Sequence, residues 1–217
     1  HSIGMCLILF AWKSHPKYPL VVAANRDEFY ERNTSGIGWW PEHPDVLAGR
    51  DHADVIGSPG TWLGLNKHGR FSALTNVRSP SEKKSDARTR GVYGLSNAML
   101  DIPWPKVNHR IAAFAQTLAM DGGSLKNADA YLHLLADDHQ APEQELPSTG
   151  VSLEWEKALS AAFIRTEHYG TRSSTILRVR QDGNYEMVER RFDANGVIAH
   201  DVITGNLIGS AWANYSV

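Results

Sequence analysis

Residues 5–12 read MCLILFAW and residues 18–28 read YPLVVAANRDE, and these two apolar runs are the strongest indication of the fold. Each run is short, continuous and rich in aliphatic side chains, which is typical of a strand buried on both faces. The connecting residues 14–19, SHPKYP, contain two prolines and favour a turn. We therefore predict that the two runs pair as a β-hairpin.

The rest of the chain changes from strand to helix patterns and back again. A turn-rich loop is predicted over 33–46, and a second hairpin over 60–77 with NKHG as its turn. Helical spacing follows over 104–120, where one face carries the apolar side chains Val107, Ile111, Phe114 and Leu118. Further helices are predicted over 126–138 and 153–164, the latter capped by Ser152, and strands return over 174–192. This order indicates a layered α+β domain.

Composition narrows the class of protein. The 217 residues suit one domain. The net charge of −2 does not create a broad positive potential that would attract nucleic acid. No apolar run reaches the roughly 20 residues that a spanning helix needs. A single cysteine excludes an internal disulfide. We expect a cytoplasmic protein without a transmembrane segment.

Cys6 is the first residue with potential chemistry. Residues 1–4 have the character of a tag remnant, so Met5 would be the initiator and its removal would leave Cys6 with a free α-amine. Such an amine titrates near neutrality and can serve as the base for its own thiol. The alternative is a buried structural cysteine in an apolar strand.

The residues that end the second run form a polar cluster. Strand alternation places Asn25 and Asp27 on one face, and Arg26 and Glu28 on the other. An arginine and an aspartate beside the thiol are expected to lower the pKa of Cys6 and to orient its amine. A solvated patch at a strand end is the alternative.

Three later polar residues follow or open short strands. Asn76 and Asn97 are candidates for amide donors to an oxyanion, and Arg172 for a contact with an anionic ligand group. Each residue type is also common at strand ends. The histidines are scattered, and His43 and His52 lie too far apart for a zinc pair on one element, so we expect no metal site.

Taken together, these residues resemble a known family. The matching motifs are the initial MC, AANRDEF, LAGRD, GTWLGLN, ALTNVR, YGLSNA, LDIPWPKV and YGTRSST. They are similar to those of the NRDE family, the transport and Golgi organisation protein 2 homologues, over residues 5–192. That family is similar in turn to the N-terminal-nucleophile hydrolases, which implies a four-layer αββα sandwich.

The resemblance also implies roles for individual residues. The nucleophile falls on Cys6, and the remaining site residues fall on Asn25, Arg26, Asp27, Asn76, Asn97 and Arg172. The order of residues around Arg26 differs from the hydrolase pattern. The family further carries residues between RTRG and VYGLSN, so we expect a single domain over 5–217 with a segment missing between Gly91 and Val92.

Two functions are compatible with these residues. The resemblance implies cytoplasmic haem trafficking, with haem as a transported ligand and haem donor or acceptor proteins as partners. Pocket candidates for that ligand are Glu28, Trp39, Trp40 and Trp62, and either Cys6 or a histidine would ligate the iron. The alternative is a hydrolase of non-peptide amide bonds that uses Cys6. No catalytic cofactor is expected for either function.

Overall fold

The computed structural model describes residues 6–52, 59–75, 91–96, 104–124 and 128–209. The strands within these ranges are β1 Leu7–Trp12, β2 Leu20–Phe29, β3 Thr34–Trp40, β4 His43–Asp51, β5 Leu63–Asn66, β6 Phe71–Ala73, β7 Gly91–Leu95, β8 Tyr169–Val179, β9 Asn184–Asp193 and β10 Gly196–Asn206. The helices are α1 Pro105–Met120, α2 Asp129–Leu135 and α3 Leu153–Leu159, with a 3-10 turn at Glu143–Glu145. The α+β class is confirmed.

The strands form two antiparallel sheets. Six of them are ordered β10-β9-β8-β2-β1-β7, and the other four are ordered β3-β4-β5-β6. The predicted hairpin of β1 and β2 is confirmed, with Leu7 opposite Asn25. It lies inside the six-stranded sheet, where both faces are covered, which explains its unbroken apolar sequence.

Two hydrophobic cores are packed between three layers of secondary structure. Leu7, Leu9 and Val21 point towards α1 and α2 and form the first core. Ile8 and Val22 point the other way and form the second core against the four-stranded sheet. Adjacent residues of one strand therefore contribute to different cores, as strand alternation requires. The layers among the described residues are thus helices, six-stranded sheet and four-stranded sheet.

The predicted apolar face of α1 is confirmed. Val107, Phe114 and Leu118 are buried, and Ile111 packs against the same core. The helix approaches the sheet closely at Gly94 of β7, where a Cβ atom would lie 2.6 Å from Val107 Cγ1. Gly91 and Val92 are consecutive residues of β7 that pair with β1. The missing segment between them stays a prediction.

Several boundaries differ from the predictions. The loop predicted over 33–46 is wrong, because most of it belongs to the paired strands β3 and β4. β3 is an edge strand, where glycines are tolerated more easily than in a sheet centre. The third helix ends at Leu159 rather than at residue 164, although Ser152 caps it as predicted. Strand β10 was not predicted, because neither of its faces is fully buried.

The second predicted hairpin is confirmed as β5 and β6. Its turn is fixed by the Asn66 side chain, whose Oδ1 accepts hydrogen bonds from the backbone N–H groups of His68 and Arg70. Among the described residues, no helix is long and apolar enough to cross a bilayer.

Candidate functional site

Asn25 connects the six-stranded sheet to the helical layer. Its amide nitrogen donates to the carbonyl oxygens of Leu135 and Ala162, at 2.8 and 2.7 Å, and its oxygen accepts from the Ser174 hydroxyl. All its polar atoms therefore have protein partners. Asn25 holds the end of α2 and the chain after α3 against the sheet.

Asp27 lies on the same face as Asn25 and forms a buried ionic pair that was not predicted. Its Oδ1 accepts a 2.6 Å hydrogen bond from the Thr171 hydroxyl, and its Oδ2 lies 3.7 Å from Lys106 Nζ. The carboxylate and the ammonium are almost inaccessible to solvent. Burial raises the pKa of Asp27 to about 6, and the charge of Lys106 opposes that rise. Lys106 lies about eighty residues from Asp27 in the sequence. No local pattern indicates this pair, which could be found only by predicting how the helical layer packs on the sheet.

Arg26 lies on the opposite face, between the two sheets. Its Nη2 donates to Asp51 Oδ2 at 2.9 Å, and its guanidinium stacks 4.6 Å above the ring of Trp62. Glu28 lies beside it and pairs with Arg32 at 3.5 Å. The predicted alternation of the cluster is thus confirmed. Arg26 Nη1 is buried, and among the described residues it has no hydrogen-bond partner.

Cys6 lies immediately before β1. The next residue, Leu7, pairs with Asn25, so the thiol lies at the Arg26–Asp27 end of β2. Desolvation raises the pKa of the thiol to about 11, and the negative charge of Asp27 adds to the rise. A hydrogen bond from the Asp27 backbone and the charges of Lys106 and Arg26 act in the other direction but are weaker. The expectation of a lowered pKa is therefore wrong, because burial outweighs the nearby cations. A neutral thiol needs a base before it can act as a nucleophile.

Other predicted site residues lie elsewhere or outside the described ranges. Arg172 donates to the carbonyl oxygens of Phe29, Tyr30, Arg32 and Phe192. It thereby fixes the chain that leaves β2. Asn76 and Asn97 lie outside the described residues, so their placement near Cys6 stays a prediction.

The three candidate tryptophans do not share one pocket. Trp39 and Trp40 border a cavity of about 280 Å³ together with Glu42 and Arg50. Trp62 instead lies on the inner side of β4, because a Cβ atom on Gly49 would be 2.6 Å from its ring. Trp62 is thus the one of the three that contacts the polar cluster.

A larger cavity, of about 950 Å³, lies at the edge between the two sheets. Its apolar wall is formed by Ile8, Phe10, Trp12, Leu20, Phe71, Ala73 and Leu95. His68 and Arg70, from the turn between β5 and β6, border it and are exposed. The sequence signal is the row of large side chains Ile8, Phe10 and Trp12 at every second position of β1, a pattern that core packing produces as well. The cavity gives the protein room for an apolar ligand.

Among the described residues, one group of side chains could act together as metal ligands. Asp137, Asp138 and His139 each place a ligand atom within 4.8 Å of the others. Asp137 already forms a 2.5 Å ion pair with Arg110. We therefore assign no metal to this group.

The chain matches the family model described as Transport and Golgi organisation 2, over residues 5–93 and 84–194. It is 26% identical to the Transport and Golgi organization protein 2 homolog of Bos taurus, in an alignment that covers 86% of this chain and 92% of the relative. The homolog of Mus musculus gives the same identity and coverage. The Drosophila melanogaster protein is 35% identical over 94 residues, which cover 41% of this chain and 32% of the relative. The chain belongs to the Transport and Golgi organisation 2 family.

Proposed function

We propose that this protein binds haem in the cavity between its two sheets and passes it to acceptor proteins in the cytoplasm. The observation that supports this most is the cavity itself, with about 950 Å³ of space and an apolar, aromatic wall. Ligand cavities of about 300–1,000 Å³ enclose most of a molecule of this class. Haem is the cargo in this proposal, so the protein needs no resident metal.

The residues around the cavity suit the parts of a haem molecule. Phe10, Trp12 and Phe71 provide aromatic surface for the porphyrin face. Arg70 provides a guanidinium at the rim, where a propionate would remain near water. The ring face and the charged edge of haem therefore have separate partners.

His68 is the residue of this rim that would ligate iron. His68 borders the cavity, whereas Cys6 does not. The thiol of Cys6 also has a raised pKa, which disfavours the thiolate form. Because His68 is exposed in a turn, its bond to iron would be easily exchanged. Such weak ligation suits a protein that must release its cargo.

A haemin titration tests this proposal. We expect a saturable shift of the Soret band at micromolar protein, and a changed band position in His68→Ala. The matched control is His139→Ala, which removes an exposed imidazole from the helical side of the protein. The absence of a saturable shift would end the proposal, and equal spectra for the two variants would remove His68 from it.

The polar cluster favours a second function, hydrolysis of a non-peptide amide bond by Cys6. The charges of Asp27 and Lys106, on one face of the sheet, and of Arg26, on the other face, all act on the Cys6 thiol. The two stacked sheets with helices on one side are compatible with an N-terminal-nucleophile hydrolase sandwich, whose second helical layer is part of the proposal. Removal of Met5 would give Cys6 the amine that serves as its base.

In this alternative, the amine accepts the thiol proton as sulfur attacks the amide carbon, and Asn76 and Asn97 stabilise the oxyanion. The proton then passes to the leaving amine nitrogen as the C–N bond breaks, and water hydrolyses the thioester. Mass spectrometry of protein that is produced without residues 1–4 and treated with an activated amide should show loss of Met5 and an acyl group on Cys6. The Cys6→Ala variant should show no acylation, and a protein that retains Met5 would rule the mechanism out.

A further inference from the structure

Strand β10 forms an outer edge of the six-stranded sheet. Within the described ranges it pairs with β9 alone, and its eleven residues make it longer than the other edge strands, β3, β6 and β7. An unpaired edge presents backbone N–H and C=O groups to which another strand can bind. Natural proteins protect such edges with short strands, lysine or proline, and β10 contains neither lysine nor proline. This edge is therefore open to strand pairing.

The hydrogen bonds to β9 show which backbone groups of β10 face outwards. Leu207, directly after the strand, donates to the carbonyl oxygen of Gly183, the residue opposite it. In an antiparallel pair, hydrogen-bonded and non-bonded positions alternate. The odd-numbered residues of 199–205 therefore bond to β9. The backbone groups that point away from β9 belong to His200, Val202 and Thr204.

The outer strand also exposes apolar side chains. Val202 lies opposite Val188 of β9, on the face of the sheet that carries the first core, yet it is 52% exposed. Val197 and Ile198, at the bulge that begins the strand, are 61% and 53% exposed. Several exposed apolar side chains on one element are typical of an interaction surface.

We propose that β10 pairs with β10 of a second copy of this chain, antiparallel and about a two-fold axis at Val202. The regular part of the strand after the bulge, residues 199–206, is centred near this residue. The axis would set Val202 against the same residue of the second copy, as an isologous contact requires. Val188 and Val202 of both copies would then form one apolar row across the joined sheets.

The charges of β10 favour this register over its neighbours. Asp201 is the one carboxylate of the strand, and an axis at Asp201 would set two carboxylates directly opposite each other, which is destabilising. An axis at His200 would likewise oppose two imidazoles. With the proposed axis, each Asp201 lies opposite Ile203 of the second copy, and each His200 lies opposite Thr204. Like charges of β10 are therefore kept apart.

Sedimentation velocity of the full chain at about 1–100 μM protein tests the proposal. We expect a monomer–dimer equilibrium, because a single strand pair is a small interface of the transient class. Val202→Lys and Val202→Glu should each weaken dimerisation about tenfold or more, since like charges would meet at the axis. An equimolar mixture of the two variants should restore the dimer, because opposite charges would then meet.

Met120→Lys is the matched control. Met120 is an exposed apolar residue at the end of α1, which packs on β1 and β7 towards the other edge of the sheet. This variant should dimerise like the parent protein. If a Val202 variant fails to fold, Thr204→Pro replaces it, because proline removes an outward N–H and leaves the bonds to β9 intact.

Three results would overturn the proposal. The first is a parent protein that stays monomeric at the highest concentration. The second is a Val202→Lys or Thr204→Pro protein that dimerises as strongly as Met120→Lys. The third is a mixture of folded Val202→Lys and Val202→Glu proteins that stays monomeric, because residue 202 would then not face its own copy.

Discussion

Replacing Gly49 with alanine should disturb the polar cluster from the side of the four-stranded sheet. The new Cβ atom would lie 2.6 Å from Cη2 and 2.9 Å from Cζ2 of Trp62, and 3.2 Å from the Ser35 carbonyl oxygen. Ordinary contacts are about 3.5–4.0 Å, so the ring must move by roughly 1 Å. The ring is not free to move, because the Arg26 guanidinium stacks on it at 4.6 Å.

The cost follows from these contacts. Overpacking of a close-packed site costs about 1–3 kcal/mol, and weakening the stacking on Arg26 adds about 0.5–2 kcal/mol. A total of about 1.5–5 kcal/mol corresponds to a decrease of about 3–20 °C in Tm for a domain of this size. Displacing Arg26 should also slow alkylation of Cys6, since the charge of Arg26 lowers the pKa of that thiol.

Circular dichroism melting and iodoacetamide labelling measure the two effects. The matched control is Gly38→Ala on the neighbouring strand β3, where a Cβ atom would meet nothing within 4 Å. That variant should melt and react like the parent protein. A Gly49→Ala protein that behaved like Gly38→Ala would show that Trp62 can yield freely, and would refute the reasoning.

Two further predictions concern buried charges. Burial raises the pKa of Asp27 to about 6 and that of Glu189 to about 7. The native state therefore holds more protons than the unfolded state, and the free energy of unfolding should fall between about pH 4 and pH 7 in urea denaturation; a rise over this range would contradict the prediction. Arg178 is fully buried between Asp121 and Glu186, so Arg178→Met should leave two buried carboxylates without their cation and cost about 3–5 kcal/mol. Calorimetry measures that loss, and a cost below about 1 kcal/mol would show that the carboxylates find other partners.

Local patterns were sufficient for the centre of the fold. The hairpin of β1 and β2, the apolar face of α1 and the alternation from Asn25 to Glu28 follow from periodicity, because each is a property of neighbouring residues. Strands β3, β4 and β10 were not predicted. β3 and β10 are edge strands and lack a continuous buried face, whereas β4 is paired on both sides but begins with three exposed residues, His43, Pro44 and Asp45.

The candidate site was only partly predictable, because its energetics depend on contacts between distant segments. Lys106 reaches Asp27 only after α1 packs on the sheet. The charges near Cys6 were visible in the sequence, but the degree of desolvation that reverses their effect on its pKa was not. The large cavity likewise depends on how far the two sheets separate, which no local pattern encodes.

The alternation within β2 makes this strand intolerant of changes in length. Deleting one residue between Leu20 and Asn25 would shift the register, so that every later side chain of β2 would point to the opposite face of the sheet. The guanidinium of Arg26 would then enter the helical core, and the carboxamide of Asn25 would face the four-stranded sheet. A substitution at one of these positions, in contrast, alters only the side of the sheet that its side chain faces. Natural variants of this segment should therefore carry substitutions but no insertions or deletions.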